Sequence, residues 1–399
     1  MSTPDLIAGR APRRGVAPLS DGAGVVSEAP DVYPYEPAAF TYTDFEQVLR
    51  WGVQRGMSDL KVIVTQPLWM RVQGRWVRVT RRALSGEEIN ALLTEAYRST
   101  AAAALLQGGH TLDWDLDVRM ERGSRLRFRC NATLVAGRRE GVSMTLRVIP
   151  ADPPPLEAMQ VEPTLLPGLL PMNGLVLVTG VMGSGKSTLL ASVLRRLAET
   201  QPRAITTFES PIEFDYSRLQ GLLGPVEQSS VGKGRHLESF VEAVRSASRR
   251  ACDVVLVGEA RDAETLRHMI ELAEMGPAVY STVHTRGVAE TPGRIVHAFA
   301  HEEQPAILAS LLDCLRCVVQ QRLLPSPAGG RTAVREFLIL DQSMRDELAG
   351  GTLSEVNSTL AKLVESRGQT LLADAHRKLG AGLITEQAYK AIEHERRRG

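Results

Sequence analysis

The sequence predicts an α/β fold, a domain with a mostly parallel sheet that follows a smaller α+β module. Three observations predict it. Short apolar strands at 175–178, 204–208, 254–257 and 278–281 alternate with long helical patterns such as 237–250 and 263–275. A glycine-rich turn links the first of these strands to a helix that opens near Lys186. Ahead of the prolines at 150 and 153–155, the pattern is different, with short alternating strands around two helices.

In chain order, residues 1–36 are rich in Pro, Gly, Ala and Ser, carry Arg10, Arg13 and Arg14, and read as a disordered leader. Order is expected from about Phe40, with a capped amphipathic helix at 43–49. Strand patterns follow at 60–64, 68–72 and 76–79, and Ser85 with Glu88 opens a helix to Tyr97. Further strand patterns at 112–120, 125–133 and 142–148 complete an N-terminal α+β domain over 37–149. Residues 150–160 read as a stiff proline-rich linker, 161–341 as the α/β domain, and 342–399 as a helical C-terminal region.

Composition narrows the classes. The formal net charge of the 399-residue chain is +1, so no global basic field argues for nucleic acid and no acidic excess argues for disorder. Four cysteines (Cys130, Cys252, Cys314, Cys317) do not make a disulfide framework in so long a chain, and a reducing compartment fits them better. No apolar run reaches the roughly 18 residues of a membrane-spanning helix, and the N-terminus has no signal-peptide core. A cytoplasmic protein is expected.

The most informative stretch is L-V-L-V-T-G-V-M-G-S-G-K-S-T-L-L, residues 175–190. It matches G-x-x-x-x-G-K-[ST], with Gly180 and Gly185 at the glycine positions, followed by Lys186 and Ser187. Glycines let backbone N–H groups close around a phosphate, and the helix N-terminus adds positive potential. Gly180, Gly183, Ser184, Gly185, Lys186, Ser187 and Thr188 are the expected nucleotide-binding residues, with Lys186 on the β/γ-phosphates and Ser187 on Mg²⁺. A strand before the motif and a helix after it favour this reading over a chance match.

Further acids stand at strand ends. V-V-L-V-G-E places Glu259 where a nucleoside triphosphatase puts the group that holds Mg²⁺ through water or activates the attacking water. F-E-S-P-I-E-F places Glu209 and Glu213 at another strand end, as candidates to orient the magnesium-bound water. His284, in S-T-V-H-T, lies at the carboxyl end of the fourth strand, where α/β folds bind ligands. Spacing alone leaves open whether it senses a γ-phosphate or only satisfies the core. Cys314 and Cys317 form C-x-x-C inside the apolar run 307–319, read as helical, and with no second pair they read as packing rather than as zinc ligands. Arg127, Arg129 and Arg147 read as strand-face charges, although arginines do stabilise γ-phosphates across subunits in ring ATPases.

These boxes, in this order, resemble the hexameric motor ATPases of type II and type IV secretion and of pilus retraction. G-V-M-G-S-G-K-S-T resembles the family's Walker A, F-E-S-P-I-E-F its Asp box, V-G-E-A-R-D its Walker B, and A-E-M-G-P-A-V-Y-S-T-V-H-T its His box. M-S-D-L-K-V, R-F-R-C-N and L-R-V-I-P extend the resemblance upstream, so that it covers residues 40–341. It implies a PAS-like N-terminal domain, a RecA-like ATPase domain, ATP and Mg²⁺, and a homohexamer that docks on inner-membrane apparatus proteins. Specific nucleic-acid binding is not implied, and any membrane association would be peripheral. By match, Glu259 is the catalytic glutamate, with Ser187 and Glu259 at the metal, Glu209 and Glu213 as the Asp-box acids, and His284 as the second His-box histidine. Arg127 and Arg147 fall in the segment that supplies arginines to the nucleotide.

Departures matter too. Ser210 replaces the usual aspartate and Pro277 the first His-box histidine, so both are left out of the catalytic set. The four-cysteine zinc insert of one branch is missing, and the A-I-R-N-L-I-R-E signature of retraction motors is replaced by S-M-R-D-E-L. The upstream segments look most like the type IVB secretion and plasmid-transfer ATPases. A retraction motor is the rival within the family. A small-molecule P-loop kinase and a non-enzymatic, nucleotide-gated scaffold are rivals from other classes. A GTPase is disfavoured, because the sequence has no N-K-x-D motif.

Overall fold

The computed structural model of the chain describes residues 32–72, 74–120, 125–135, 141–149, 152–232 and 235–398. Residues 1–31 of the expected leader, with its three arginines, lie outside them, as do Pro150 and Ala151 of the expected linker. The chain divides into two compact units, 1–109 with 133–145, and 110–132 with 146–399.

The first elements are α1 (Tyr42–Gln54), β1 (Met57–Ile63), β2 (Trp69–Val72), β3 (Arg75–Arg78), α2 (Gly86–Tyr97), α3 (Ala102–Gln107), β4 (Leu112–Arg119), β5 (Arg125–Val135) and β6 (Gly141–Ile149). Their strands form a six-stranded sheet in the order β3-β2-β1-β6-β5-β4. Order starts earlier than Phe40, because Tyr33 is buried and its N–H donates to the Val79 carbonyl (2.8 Å). Helix α1 starts one residue before the expected Thr43, because Thr41 rather than Thr43 caps it. The Thr41 hydroxyl accepts from the Asp44 N–H and the Asp44 carboxylate accepts from the Thr41 N–H, closing a capping box. Ser85 and Glu88 close the same box on α2, as the sequence predicts.

The next elements are α4 (Leu166–Leu169), β7 (Gly174–Thr179), α5 (Lys186–Thr200), β8 (Ile205–Glu209), β9 (Val226–Ser230), α6 (Phe240–Ala247), β10 (Val254–Val257), α7 (Ala263–Glu274), β11 (Ala278–Val283), α8 (Thr291–Val296) and α9 (Gln304–Cys314). The hairpin β12 (Leu315–Pro325) and β13 (Arg331–Ile339) completes a seven-stranded sheet, β13-β12-β7-β11-β10-β8-β9. Every pairing is parallel except β12 with β13. Strands β7, β8, β10 and β11 are buried at every position, as parallel strands covered on both faces must be. Their side chains alternate between two cores: Leu175, Leu177, Val255 and Val257 face one, and Val176, Val178, Val254 and Leu256 the other. A doubly wound α/β sheet places its ligand-binding loops at the carboxyl ends of such strands.

The apolar run 307–319 is not a single helix, because α9 stops at Cys314 and the chain passes directly into β12. Cys317 therefore sits on a central strand paired with Val176 of β7 and Ile339 of β13. Both thiols are buried and free, and burial pushes the Cys314 thiol up to about 12.

Four helices follow the sheet: α10 (Gln342–Leu348), α11 (Leu353–Arg367), α12 (Leu371–Gly380) and α13 (Glu386–Arg398). Val334 of β13 packs with Leu371 and Ala375 of α12, and with Ile384 and Ile392, in a small apolar cluster of its own. Among the described residues, no helix is long and apolar enough to cross a membrane.

Candidate active site

The glycine-rich turn forms a closed loop at the carboxyl end of β7, backed by β12. Gly180 (φ +141°) and Gly185 (φ +83°) hold backbone angles that side chains rarely adopt, and a Cβ would meet the Gln321 carbonyl at 2.4 Å and the Gln321 amide nitrogen at 2.9 Å, respectively. Only glycine fits either position. Helix α5 begins at Lys186 with no side chain capping its first turn, so those N–H groups are left for an anion. The Ser184 and Thr179 hydroxyls are buried with no protein partner. An uncapped helix start beside orphaned hydroxyls and glycine-only positions suits a phosphate cradle.

Lys186 is buried, and its Nζ donates to the carbonyls of Gly180 (2.8 Å) and Val181 (3.0 Å). Burial lowers its pKa, while Glu259 and Glu213 pull it back toward the charged form. Ser187 and Thr188 follow on the first turn of α5, half-buried.

The strand-end acids converge on this lysine. Glu259 lies just beyond β10, its carboxylate bound to Arg261 (2.5 and 2.6 Å) and 3.3 Å from His284 Nε2. Burial would raise the Glu259 pKa, but Arg261 first and then His284 outweigh it and hold the carboxyl below its ordinary value. The other ring nitrogen of His284 lies 3.2 Å from the Gly180 carbonyl. His284 thus bridges the start of the loop to Glu259, with both ring nitrogens facing acceptors. Neutral imidazole can donate to only one of them.

Glu209 ends β8 and is buried against neutral donors. It accepts from the Thr207 hydroxyl (2.7 Å), the Glu213 N–H (3.2 Å) and the Gln228 amide (3.3 Å). Burial raises its pKa, these donors only partly oppose the rise, and Glu213 adds to it. Near the end of β11 the Thr282 hydroxyl donates to the carbonyl of Gly258, just past β10 (2.8 Å), which ties the two strand ends together.

The structure thus brings Gly180, Lys186, Glu213, Glu259 and His284 into one site. The two arginines stay on the six-stranded sheet. Arg127 faces Asp117 on the neighbouring strand β4 (3.6 Å), and Arg147 is exposed on β6.

With this geometry in hand, comparison with known proteins decides the family. Residues 113–329 match the family model described as "Type II/IV secretion system protein". The chain belongs to the type II/IV secretion ATPase family. The chain is 35% identical to the uncharacterized protein YggR of Escherichia coli over 297 residues, 74% of this chain and 86% of that one. The solved structure of the Legionella pneumophila ATPase DotB superposes with a TM-score of 0.82 at 37% identity, covering 92% of this chain and all of that one. The pilus retraction motor PilT with bound ADP superposes with a TM-score of 0.72 at 29% identity, over 86% and 95% of the two chains.

This member of the family carries around its loop a set of residues that sequence reasoning missed. Gln321 of β12 is fully buried and donates from Nε2 to the Ser184 carbonyl (2.7 Å). Arg331 of β13 reaches the Gly183 carbonyl (3.4 Å). Arg335, directly across from Gln321 in the hairpin, is fully buried as well. Adjacent polar residues Gln320, Gln321 and Arg322 between the apolar pairs Val318-Val319 and Leu323-Leu324 are the one local signal that could have marked the strand.

Proposed function

We propose that the chain hydrolyses ATP in this loop and, as a homohexamer, uses the energy to drive a type IVB-like secretion or conjugative transfer machine at the inner membrane. The observation that carries the chemistry is the convergence of Lys186 and His284 on the Gly180 carbonyl, with Glu259 held against the far ring nitrogen of His284. Hydrolysis joins a water oxygen to the γ-phosphorus, breaks the bond to the β-phosphate, and gives up a proton at the attacking side. Glu259 is the group assigned to orient that water and take the proton. Its bond to Arg261 is not an obstacle: the arginine side chain is 75% exposed, and such pairs contribute about 0–1 kcal/mol. Lys186 would move from two loop carbonyls to the phosphates, which are stronger acceptors.

Mg²⁺ fits the donor set, with the Ser187 hydroxyl and, through water, Glu259 as its holders; bound there it would offset phosphate charge. Glu209 and Glu213 are assigned to the water shell, and His284 to sensing the γ-phosphate through the loop. Arg127 and Arg147 are assigned to a nucleotide of a neighbouring subunit, in a sheet read as a PAS-like module. The closer superposition on the two DotB structures, TM-scores 0.82 and 0.79 against 0.72 for PilT, supports transfer over retraction, although by identity PilT at 29% falls between them at 37% and 25%. PilT's own match keeps a retraction motor as the second reading.

Glu259→Gln is expected to bind ATP normally and to lose about 100-fold or more in kcat, the scale of a lost general base. Unchanged turnover would remove Glu259 from that role. Loss of substrate transfer with surface motility intact, in cells carrying the same variant, is the outcome expected of a transfer motor, and the reverse outcome identifies a retraction motor.

A further inference from the structure

Behind the phosphate loop a chain of buried polar side chains runs out to the C-terminal helices. The Gln321 amide donates to the Ser184 carbonyl inside the loop (2.7 Å), and its own oxygen accepts from Arg335 Nε (2.8 Å). Arg335 then donates to the Met159 carbonyl (2.8 Å), the Gln160 carbonyl (3.1 Å) and the Glu162 carboxylate (3.1 Å). Glu162 also accepts from Lys378 Nζ (2.9 Å), which bonds Asp374 on the same helix, α12 (2.7 Å). Asp374 closes the circuit by accepting the Arg335 backbone N–H (2.8 Å). Each of these five side chains is at most 4% exposed, and Arg377, 56% exposed, joins Glu162 and Asp374 from the solvent side.

Such a network has one arrangement that satisfies it. Arg335 has a planar fork with fixed donor directions, and bonds to one carboxylate, one amide oxygen and two backbone carbonyls leave it no rotation. That immobility passes to Gln321, whose amide orientation is set by which end faces an N–H donor. With its oxygen on Arg335, its NH₂ must face the loop. The contact is close enough to matter, because Gln321 also fills the space against Gly180 and Gly185.

We propose that Gln321 is a positioning residue for the phosphate loop, and that the ion network behind it makes helix α12 a determinant of nucleotide affinity. This rests on reading the loop as the ATP site. Fixing the Ser184 carbonyl holds the flanking N–H groups in the curve a phosphate needs, so the ordering cost is met before ATP arrives. A change at α12, through a bound partner or a substitution, would reach the loop by loosening Arg335.

The test uses the full chain and two substitutions of near-identical shape. Gln321→Glu keeps an acceptor on Arg335 but turns an oxygen toward the Ser184 carbonyl; Asp374→Asn weakens the network at its α12 end. Each is measured by the Kd for a fluorescent ATP analogue, by the melting temperature, and by hydrogen exchange of residues 180–190 without nucleotide. Gln321→Glu is expected to raise Kd at least tenfold and to speed loop exchange, with KM for ATP rising more than kcat falls. Asp374→Asn is expected to raise Kd about threefold and to lower the melting temperature, with loop exchange faster than the loss of global stability accounts for. Wild-type Kd and loop protection in Gln321→Glu would overturn the positioning role, and wild-type values in Asp374→Asn would overturn the link to α12. If Gln321→Glu does not fold, Asp374→Asn carries the test. If the wild-type chain and Lys186→Ala bind the analogue equally, the ATP-site reading fails, while loop exchange without nucleotide still reports on Gln321.

Discussion

Two buried glutamates in this molecule have opposite electrostatics. Glu209 is 8% exposed at the end of β8, and Glu162 is 4% exposed ahead of α4. Burial pushes both pKa values up. At Glu209 only neutral donors oppose it, and the net direction is upward. At Glu162 the charges of Arg335 and Lys378 win, and the net direction is downward. Burial therefore does not assign a role; the partners do. A carboxylate surrounded by neutral donors remains free to engage a cation or a water that arrives later. One already neutralised by two buried cations is committed to holding the fold.

The largest expected effect follows from the committed acid. Glu162→Leu would leave the buried Arg335 side chain without a carboxylate and Lys378 with Asp374 alone, at a cost of about 3–5 kcal/mol. Chemical denaturation followed by far-ultraviolet dichroism should show it as a large drop in midpoint. A change below about 1 kcal/mol would mean that water reaches the network, and the comparison with Glu209 would fail.

The free acid should behave in the opposite way. Glu209→Gln keeps the shape and, with its oxygen at the Oε1 position, still accepts from Thr207 and Gln228; it gives up the bond from the Glu213 N–H while removing a charge that burial disfavours. Its stability should stay within about 1 kcal/mol of wild type or rise, while kcat falls at least tenfold, equivalent to about 1.4 kcal/mol on the barrier. Steady-state phosphate release beside the denaturation midpoint separates the two effects. Lost stability with intact turnover would move Glu209 into the same class as Glu162.

The same contrast explains what could be read from the chain. The loop, its helix and four parallel strands were legible because glycine spacing and fully apolar runs are local signals. Ser85 with Glu88 was legible for the same reason. Strand β12 was not, because α9 runs into it at Leu315 without a turn residue, and its buried Gln320 and Gln321 break the apolar pattern. The Glu162 network could not be read at all. Lys378 lies 216 residues from its partner, and each member alone looks like an ordinary surface charge. Glu209 and Glu259, by contrast, stand at strand ends, where position in the pattern already suggests chemistry.

A third acid sets the lower end of the scale. Glu88 accepts from Arg82 (2.6 and 3.0 Å) and from the N–H groups of Phe40 and Ser85 (2.8 Å each), and Arg82 first, then those N–H groups, take its carboxyl from 4.5 to about 2. The shift is larger than its energy, because the pair is partly in water and solvent screens it. Glu88→Gln should therefore cost only about 1 kcal/mol at neutral pH. A depressed carboxyl contributes stability that is present above the unfolded value of 4.5 and lost as pH falls through about 2. The gap between wild type and Glu88→Gln should accordingly be constant at neutral pH and close across that acid window. Three of the four tryptophans, Trp51, Trp69 and Trp76, lie in the same unit as Glu88, so fluorescence-detected denaturation is weighted toward that unit. A gap that persists unchanged below pH 3 would show that Glu88 acts by shape rather than by charge, which leaves Glu162 as the acid whose partners set its worth.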